Sequence, residues 1–459
     1  MEKIKTPLLN MSAPKALLCG LALSLASLES ANAQLTATGQ IRTRTELRKG
    51  QGTLQQKGDV PAFFTSQRTR LNVGYTGYRF KVFTAVQDVR VWGQDSSTIN
   101  RNSATNDLMI NEAWGEVLLN DTVSSIENLS IKIGRQPIVY DDQKLLGGLD
   151  WLQQGRRHDA VVLKFSNKGW IADAGFAYNQ NAEKATNNTY LGGTSSSAYK
   201  AGTNGMATMY QSMEYLYLGR KFFFGSASLL YFADNFSKAS LTKTKERGTW
   251  TRSTFGAYID ATIKRKINVI ASAYKQSGRD RTGVEVDASM FSVATQVQIG
   301  RKFWIGPGVD YLSGEDGTKA NTKNFRFDPL YGTPHKFWGY MDYFYVASPF
   351  GKQGLVNYFL KAKYNLKDNL ILTADFHGFA AGNTVSDGAG GKRDSYLGTE
   401  IDFVLNYKMT KQIAFEAGYS VMMASDVMAS AQVKGVTNAE KTAQWAYLMV
   451  NITPNFLAK

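Results

Sequence analysis

The chain has 459 residues, a formal net charge of +15, 25 Phe, 23 Tyr, 8 Trp, 42 Gly, 9 Pro and a single cysteine. One cysteine excludes a disulfide framework and a cysteine metal site. The basic balance suits lipid headgroups or acidic ligands, whereas no nucleic-acid module is present, so nucleic acid is set aside.

The N-terminus reads as a secretory signal. Lys3, Lys5 and Lys15 are followed by an apolar run from Ala16 to Leu28, and Ala31-Asn32-Ala33 supplies small residues before a cleavage site at Gln34. A lipoprotein anchor at Cys19 is the competing reading; Leu18 is bulky where lipidation needs a small residue. Loss of residues 1–33 removes three lysines and two glutamates and leaves +14. No later segment is long and apolar enough for a membrane helix, which needs about 20 such residues. The expected organisation is a signal peptide at 1–33 and one domain at 34–459.

Beyond it, runs rich in Val, Ile, Tyr, Phe and Thr, bounded by turn residues, predict strands. They lie at 35–47, 66–75, 78–92, 108–119, 129–136, 159–166, 169–178, 209–219 and 222–233. A second series follows at 252–264, 267–275, 289–300, 303–312, 354–364, 369–380, 395–407, 412–423 and 444–452. Thr76-Gly77, Asn167-Lys168, Arg220-Lys221, Arg265-Lys266, Arg301-Lys302, Leu366-Lys367-Asp368 and Thr410-Lys411 mark short turns, with 120–128 slightly longer. Between them lie long polar connections at 48–65, 93–107, 137–158, 179–208, 234–251, 276–288, 313–353, 381–394 and 424–443. Short and long alternate throughout. A soluble sandwich has no reason to put every long loop at one end, whereas an outer-membrane barrel has short periplasmic turns and long extracellular loops. The predicted fold class is therefore all-β: a closed antiparallel transmembrane barrel of 18 strands in the outer membrane of a Gram-negative bacterium. Lipid and lipopolysaccharide would surround it, and the basic turn residues would touch lipid phosphates.

Strand periodicity assigns faces. In 41–47 and 68–73 the charges Arg42, Arg44, Glu46, Arg68 and Arg70 fall on every second residue. Period two puts them on one face. An arginine facing lipid at mid-membrane costs about 2–4 kcal/mol, so Arg42, Arg44, Arg68 and Arg70 should face the lumen.

Two connections are unlike surface loops. The 137–158 segment carries Leu145, Leu146, Leu149, Trp151 and Leu152, too apolar to sit together in water. Folding into the barrel would carry Asp150, Arg156 and Arg157 toward the pore; packing at the rim is the alternative. The 313–353 segment crowds Phe325, Phe327, Leu330, Tyr331, Phe337, Trp338, Tyr340, Tyr343, Phe344 and Tyr345, rings that either stack on sugars or fill space.

These segments carry a family resemblance. Ile133-Gly134-Arg135-Gln136, Tyr140-Asp141-Asp142-Gln143-Lys144-Leu145-Leu146-Gly147 and Leu149-Asp150-Trp151-Leu152-Gln153-Gln154-Gly155-Arg156-Arg157-His158-Asp159-Ala160 resemble the signature of the alginate export family. Asp328-Pro329-Leu330-Tyr331-Gly332-Thr333-Pro334-His335 and Phe337-Trp338-Gly339-Tyr340-Met341-Asp342 are similar to its second block. The stretch from Leu397-Gly398-Thr399-Glu400-Ile401-Asp402 to Gly418-Tyr419-Ser420-Val421-Met422 is similar to its C-terminal strands. The resemblance implies an 18-stranded outer-membrane barrel with an arginine-rich constriction that passes an anionic uronate polymer outward, with periplasmic secretion partners. It makes Arg135, Arg156, Arg157 and Asp150 pore candidates. The resulting expectation is a cationic constriction of Arg135, Arg156 and Arg157 with Arg44 and Arg70 nearby, ordered by Asp150 pairing with one or two of the arginines. The alternative is that these arginines cross-link an infolded loop to the wall. One departure from common barrel sequences is the terminus, where Phe456 is followed by Leu457-Ala458-Lys459 rather than ending the chain.

Other classes stay in view. The three histidines, His158, His335 and His377, accompany no Gly-x-Ser-x-Gly elbow and no His-Glu-x-x-His helix, so the chain is not read as an enzyme and no cofactor is expected. Gly314-Glu315-Asp316-Gly317 and Asp387-Gly388 read as turns, with calcium sites as the lesser alternative. The functional readings are a channel for an anionic polysaccharide or acidic sugar, a general anion- or sugar-preferring porin, and a barrel enzyme or surface-binding protein.

Overall fold

The structure, a computed structural model, describes residues 34–93, 108–121, 124–179, 210–238, 248–344 and 352–457. The expected signal peptide and Tyr345 lie outside these residues. The strands are β1 (Gln34–Lys49), β2 (Ala62–Gly77), β3 (Phe80–Val91), β4 (Met109–Leu118), β5 (Asn128–Gln136), β6 (His158–Asn167), β7 (Trp170–Tyr178), β8 (Ser212–Phe222) and β9 (Gly225–Ser237). Then come β10 (Thr249–Ile263), β11 (Ile267–Gly278), β12 (Ala288–Ile299), β13 (Phe303–Leu312), β14 (Leu355–Lys367), β15 (Leu370–Ala380), β16 (Tyr396–Lys408), β17 (Ile413–Ala424) and β18 (Thr442–Ile452). Each pairs antiparallel with its neighbours in sequence, and β1 pairs with β18, closing an 18-stranded barrel. Closure leaves no unpaired edge, the condition for strands to cross a bilayer.

Alternation divides the wall into two chemistries. On β1 and β2, Ile41, Leu47, Leu71 and Val73 are exposed on the outer face, while Arg42, Arg44 and Arg68 between them are buried on the inner one. The same outward exposure of Leu163, Leu216, Leu229, Ile259, Phe291, Val293, Leu360, Phe403 and Leu448 continues round the barrel and forms the lipid-facing belt. Near the short turns, aromatic pairs make a girdle: Tyr75 with Phe80, Phe222 with Phe224, Phe303 with Tyr364 and Tyr407 with Phe415, ring centroids 5.3 to 6.5 Å apart.

Arg220-Lys221 is not a turn. Strand β8 continues through it to Phe222, and the hairpin closes over Phe223-Phe224, where Phe222 pairs with Gly225. The reason is the girdle: stacking Phe222 on Phe224 outweighs the turn preference of the charged pair. Arg220 lies over the Trp170 ring instead, 4.8 Å from its centroid, and donates to the Lys168 carbonyl at 2.7 Å.

The seam between first and last strands uses the chain terminus. After β18, the Gly39 amide donates to the Pro454 carbonyl and the Phe456 amide to the Ala37 carbonyl, both at 2.9 Å. The Phe456 ring covers Gly39, where a Cβ would stand 3.0 Å from its Cζ.

Candidate functional site

Both apolar connections fold into the lumen. Residues 137–157 lie between β5 and β6; the described residues of the second connection, 313–344 and 352–354, lie between β13 and β14. Left-handed backbone at Asp141, Gln143, Leu149 and Gly155 in the first, and at Leu330 and Asp342 in the second, folds these segments back on themselves. Leu145, Leu146 and Leu149 are buried, as are Phe327, Leu330, Tyr331, Trp338, Met341, Tyr343 and Phe344. The loops meet each other: the Gly147 amide donates to the Tyr331 carbonyl at 3.0 Å, Tyr331 to Leu145 at 2.9 Å, and Thr333 to Gln143 at 2.8 Å. Strands β5–β6 and β13–β14 stand eight places apart in the closed ring of 18, so the joined loops span the barrel from nearly opposite walls.

The wall arginines receive the first loop at Asp150. Arg68 grips the carboxylate in two bonds, Nη1 to Oδ1 at 2.8 Å and Nη2 to Oδ2 at 3.2 Å. Arg42 lies 3.5 Å from Oδ2 and Arg70 3.8 Å from Oδ1. Asp150 thus touches three arginines, more than the one or two expected from sequence. Its side chain is nonetheless 65% exposed, so the carboxylate sits at the boundary between the arginines and lumen water. Partial burial would raise its pKa, but the hydrogen bond and charge of Arg68, with Arg42 and Arg70, hold it below the ordinary carboxylate value.

The arginines differ in how far their N–H groups are spent. Arg42 donates to Gln153 and to the carbonyls of Asp150, Trp151 and Leu152 at 2.8 to 3.2 Å. Arg44 donates to Glu46 at 2.8 Å and to the Trp151 carbonyl at 2.9 Å, and lies 4.3 Å from the centroid of the Trp151 ring. Arg68 adds Gln40 and the Gln153 carbonyl to Asp150. These three fasten the loop tip to β1 and β2, the cross-linking role that the sequence left as an alternative. Arg70 is different: its Nε and Nη2 both go to Gln87 Oε1, at 3.1 and 2.7 Å, and its Nη1 has no bond shorter than the 3.8 Å approach to Asp150. Arg157 is half-buried, with one contact to the Gln154 carbonyl and one to the Met109 sulfur, both at 3.4 Å. Burial, then repulsion from Arg135, push its pKa down.

Arg156 and Arg135 do not join this group. Arg156 is 3% exposed, and its guanidinium donates to the carbonyls of Tyr331 and Gly332, latching one infolded loop to the other. Arg135 is on the outer face of β5. Ser130 and Gln136 set the inward parity, so Arg135 points away from the lumen and pairs with Asp159 in two bonds, 2.8 and 2.9 Å. The sequence expectation of a constriction that includes these two is corrected on both counts.

Several partners escaped the sequence reading. Glu46, buried, accepts from Arg44, Arg48 and the Trp445 indole at 2.8, 2.8 and 3.0 Å; its place in the 41–47 alternation was the available signal. Asp234 and Asp328 bracket Arg252 at 2.6 and 2.7 Å, tying the second loop to β9 and β10. Lys144 reaches Asp310 at 2.9 Å. Trp151 stacks on His335 at 4.4 Å and 9°, and His335 on Tyr340 at 4.9 Å, so these rings serve the contact between loops. His158 and His377 hydrogen-bond Tyr210 and Asn357 at 2.7 and 2.9 Å. Asp316 and Asp387 accept from amides of their own turns, Thr318 at 3.0 Å, and Ala389 and Gly391 at 2.8 Å.

The model of one family, described as alginate export, matches residues 33–440. No curated protein sequence matches the chain. Among solved structures the chain is similar to OccAB4 of Acinetobacter baumannii, with a TM-score of 0.60 at 12% identity, covering 94% of this chain and 100% of that one. It is similar to OccK9 (OpdG) of Pseudomonas aeruginosa, with a TM-score of 0.57 at 10% identity over 92% and 99% of the two chains. It is also similar to OpdK of Pseudomonas aeruginosa, whose structure is with vanillate, at 0.56 and 11% over 92% and 99%. At such identities the likeness speaks for the barrel fold alone.

Proposed function

This chain is an outer-membrane channel that belongs to the alginate export family, and we propose that it passes an anionic polysaccharide of uronate type outward, with Arg70 and Arg157 as the groups that meet the polymer's carboxylates. What carries the reading is the division of labour among the arginines. Arg42, Arg44, Arg68 and Arg156 are occupied by the infolded loops, whereas the Nη1 of Arg70 has only its 3.8 Å approach to Asp150. Guanidinium suits this task because its planar fork grips a carboxylate in two bonds and stays charged at any working pH. The Arg68–Asp150 pair displays that geometry within the protein itself. A narrow passage with low-dielectric walls focuses such a field, concentrating anions and repelling cations. Grip at each site must remain modest, or a polymer would enter and stay; two partly free cations meet that condition better than a dense ring. Lipid and lipopolysaccharide surround the belt, and periplasmic secretion partners would deliver the polymer.

A second reading has one observation in its favour. The joined loops bury a large apolar cluster in the lumen, which suits a path for small acidic solutes rather than a chain. The similar fold of OpdK, seen with vanillate, is in keeping with it. Purified protein in planar bilayers separates the two. Uronate oligomers of increasing length should block the current with growing residence time if a polymer path exists; block that stops growing beyond one or two sugar units would favour the small-solute channel.

A further inference from the structure

The geometry points to Asn111 as a hydroxyl-recognising residue that joins Arg70 in one subsite for a hydroxylated carboxylate, a single uronate unit. This rests on the function proposed above and adds how the channel tells a uronate from another anion. The pairing of β3 with β4 slips at this place: Ala85 faces Glu112, but Val86 faces Ile110, which leaves Asn111 as the extra residue of a bulge. A bulge re-aims one side chain out of the regular alternation. The Asn111 side chain is buried, 5% exposed, and its Oδ1 has no hydrogen-bond partner among the described residues. A buried acceptor left unpaired costs about 1–3 kcal/mol, so such a group is kept where something outside the chain satisfies it.

Arg70 faces the same notch. Gly155, with φ +64°, adds no side chain to it: a Cβ there would be in ordinary contact with Arg70 Nη2 at 3.7 Å, the Gly148 carbonyl oxygen at 3.7 Å and Asn111 Oδ1 at 3.9 Å. One cation and one orphan acceptor therefore border a single gap. A carboxylate entering it meets the Arg70 guanidinium, and a hydroxyl on the same ring donates to Asn111 Oδ1. A carboxylate without hydroxyls gains the first contact and leaves the second unmade.

The test compares two blockers of matched length and charge, a hexameric uronate oligomer and a hexameric acrylate oligomer, on the full-length protein in planar bilayers. Heat-modifiable mobility on gels checks that each barrel is folded. Wild type should be blocked by both, more tightly by the uronate. Asn111→Ala should weaken the uronate block about fivefold, the worth of one neutral hydrogen bond, and leave the acrylate block and the reversal potential unchanged. Asn111→Ser keeps the strand polar but falls short of the notch, and should lose the same preference. Equal weakening of both blockers would overturn the inference, because Asn111 would then act only through the position of Arg70. No change in either would overturn it too. A wild-type channel that selects anions but binds both blockers equally refutes the hydroxyl subsite alone; a wild type blocked by neither refutes the polymer function itself.

Discussion

Arg68 and Asp150 form a two-point contact inside the barrel, with a β2 guanidinium holding both oxygens of a carboxylate at the tip of an infolded loop. The contact places a negative charge amid Arg42, Arg68 and Arg70 and leaves that charge open to water. Two consequences of that placement, and three of the residues around it, are open to measurement.

Asp150→Asn removes the central anion and keeps the shape. The Arg68 bonds lose their charged partner, which costs the loop docking about 1–3 kcal/mol. The same change leaves more uncompensated positive charge in the lumen. Reversal potentials under a salt gradient should move toward stronger anion preference, while protease cuts within 137–157 become faster. A shift toward cations would contradict the role given to Asp150.

Arg156 and Arg135 should behave in opposite ways although both lie in the first family block. Arg156→Gln takes its donor from the Gly332 carbonyl inside the joined loops, at about 1–3 kcal/mol, and leaves the Tyr331 carbonyl with the Gly147 amide alone. Open-channel noise should rise sharply. Arg135→Gln breaks a rim pair on the outer face, worth about 0–1 kcal/mol, and should alter neither noise nor selectivity.

The pH response of the docking follows from Asp150. Its folded pKa is depressed below the ordinary 3.8, so the carboxylate favours the docked loop at every pH above that value, and the stabilisation is lost as pH falls through the depressed folded value. Trp151 fluorescence should therefore stay constant from pH 7 to about pH 5 and change only in strong acid, below about pH 4. In Asp150→Asn that acid transition should be absent. A wild-type transition near pH 6 would assign the titration to another group.

The closing seam predicts an effect on the barrel as a whole. Gly39→Leu drives a side chain into Phe456, and overpacking of this kind costs about 1–3 kcal/mol. The temperature at which the folded band converts to the unfolded one on gels should fall, with selectivity unchanged. Phe456→Ala should lower it less, since the ring is 58% exposed.

Much of the fold was legible because a membrane wall imposes period two over many residues. All 18 strands follow from that pattern and from the alternation of turn lengths. Leu145, Leu146 and Leu149 disclosed infolding because so much apolar surface needs cover. The site was less legible, for physical reasons that differ by residue. Arg135 sits one position from an inward Gln136, and a family block carries no parity, so its outward face went unread. Arg156 lies in a loop without a repeat, where nothing local says whether a guanidinium meets solvent or two backbone carbonyls. Asn111 owes its orientation to a register slip that only the pairing of β3 with β4 defines. Arg220-Lys221 looked like a turn because charge favours turns, yet neighbouring phenylalanines carried the strand past it.

The function proposed above requires Arg70 and Arg157 to set the selectivity while the other lumen arginines hold the loops. The reversal potential of the Arg70→Gln/Arg157→Gln double variant in planar bilayers, under a tenfold potassium chloride gradient, tests it most directly. With the barrel folded and conductance similar in size, most of the anion preference should be lost and the reversal potential should move toward the cation side by tens of millivolts. A folded double variant whose reversal potential equals that of wild type would contradict it and place the selecting charges elsewhere in the lumen.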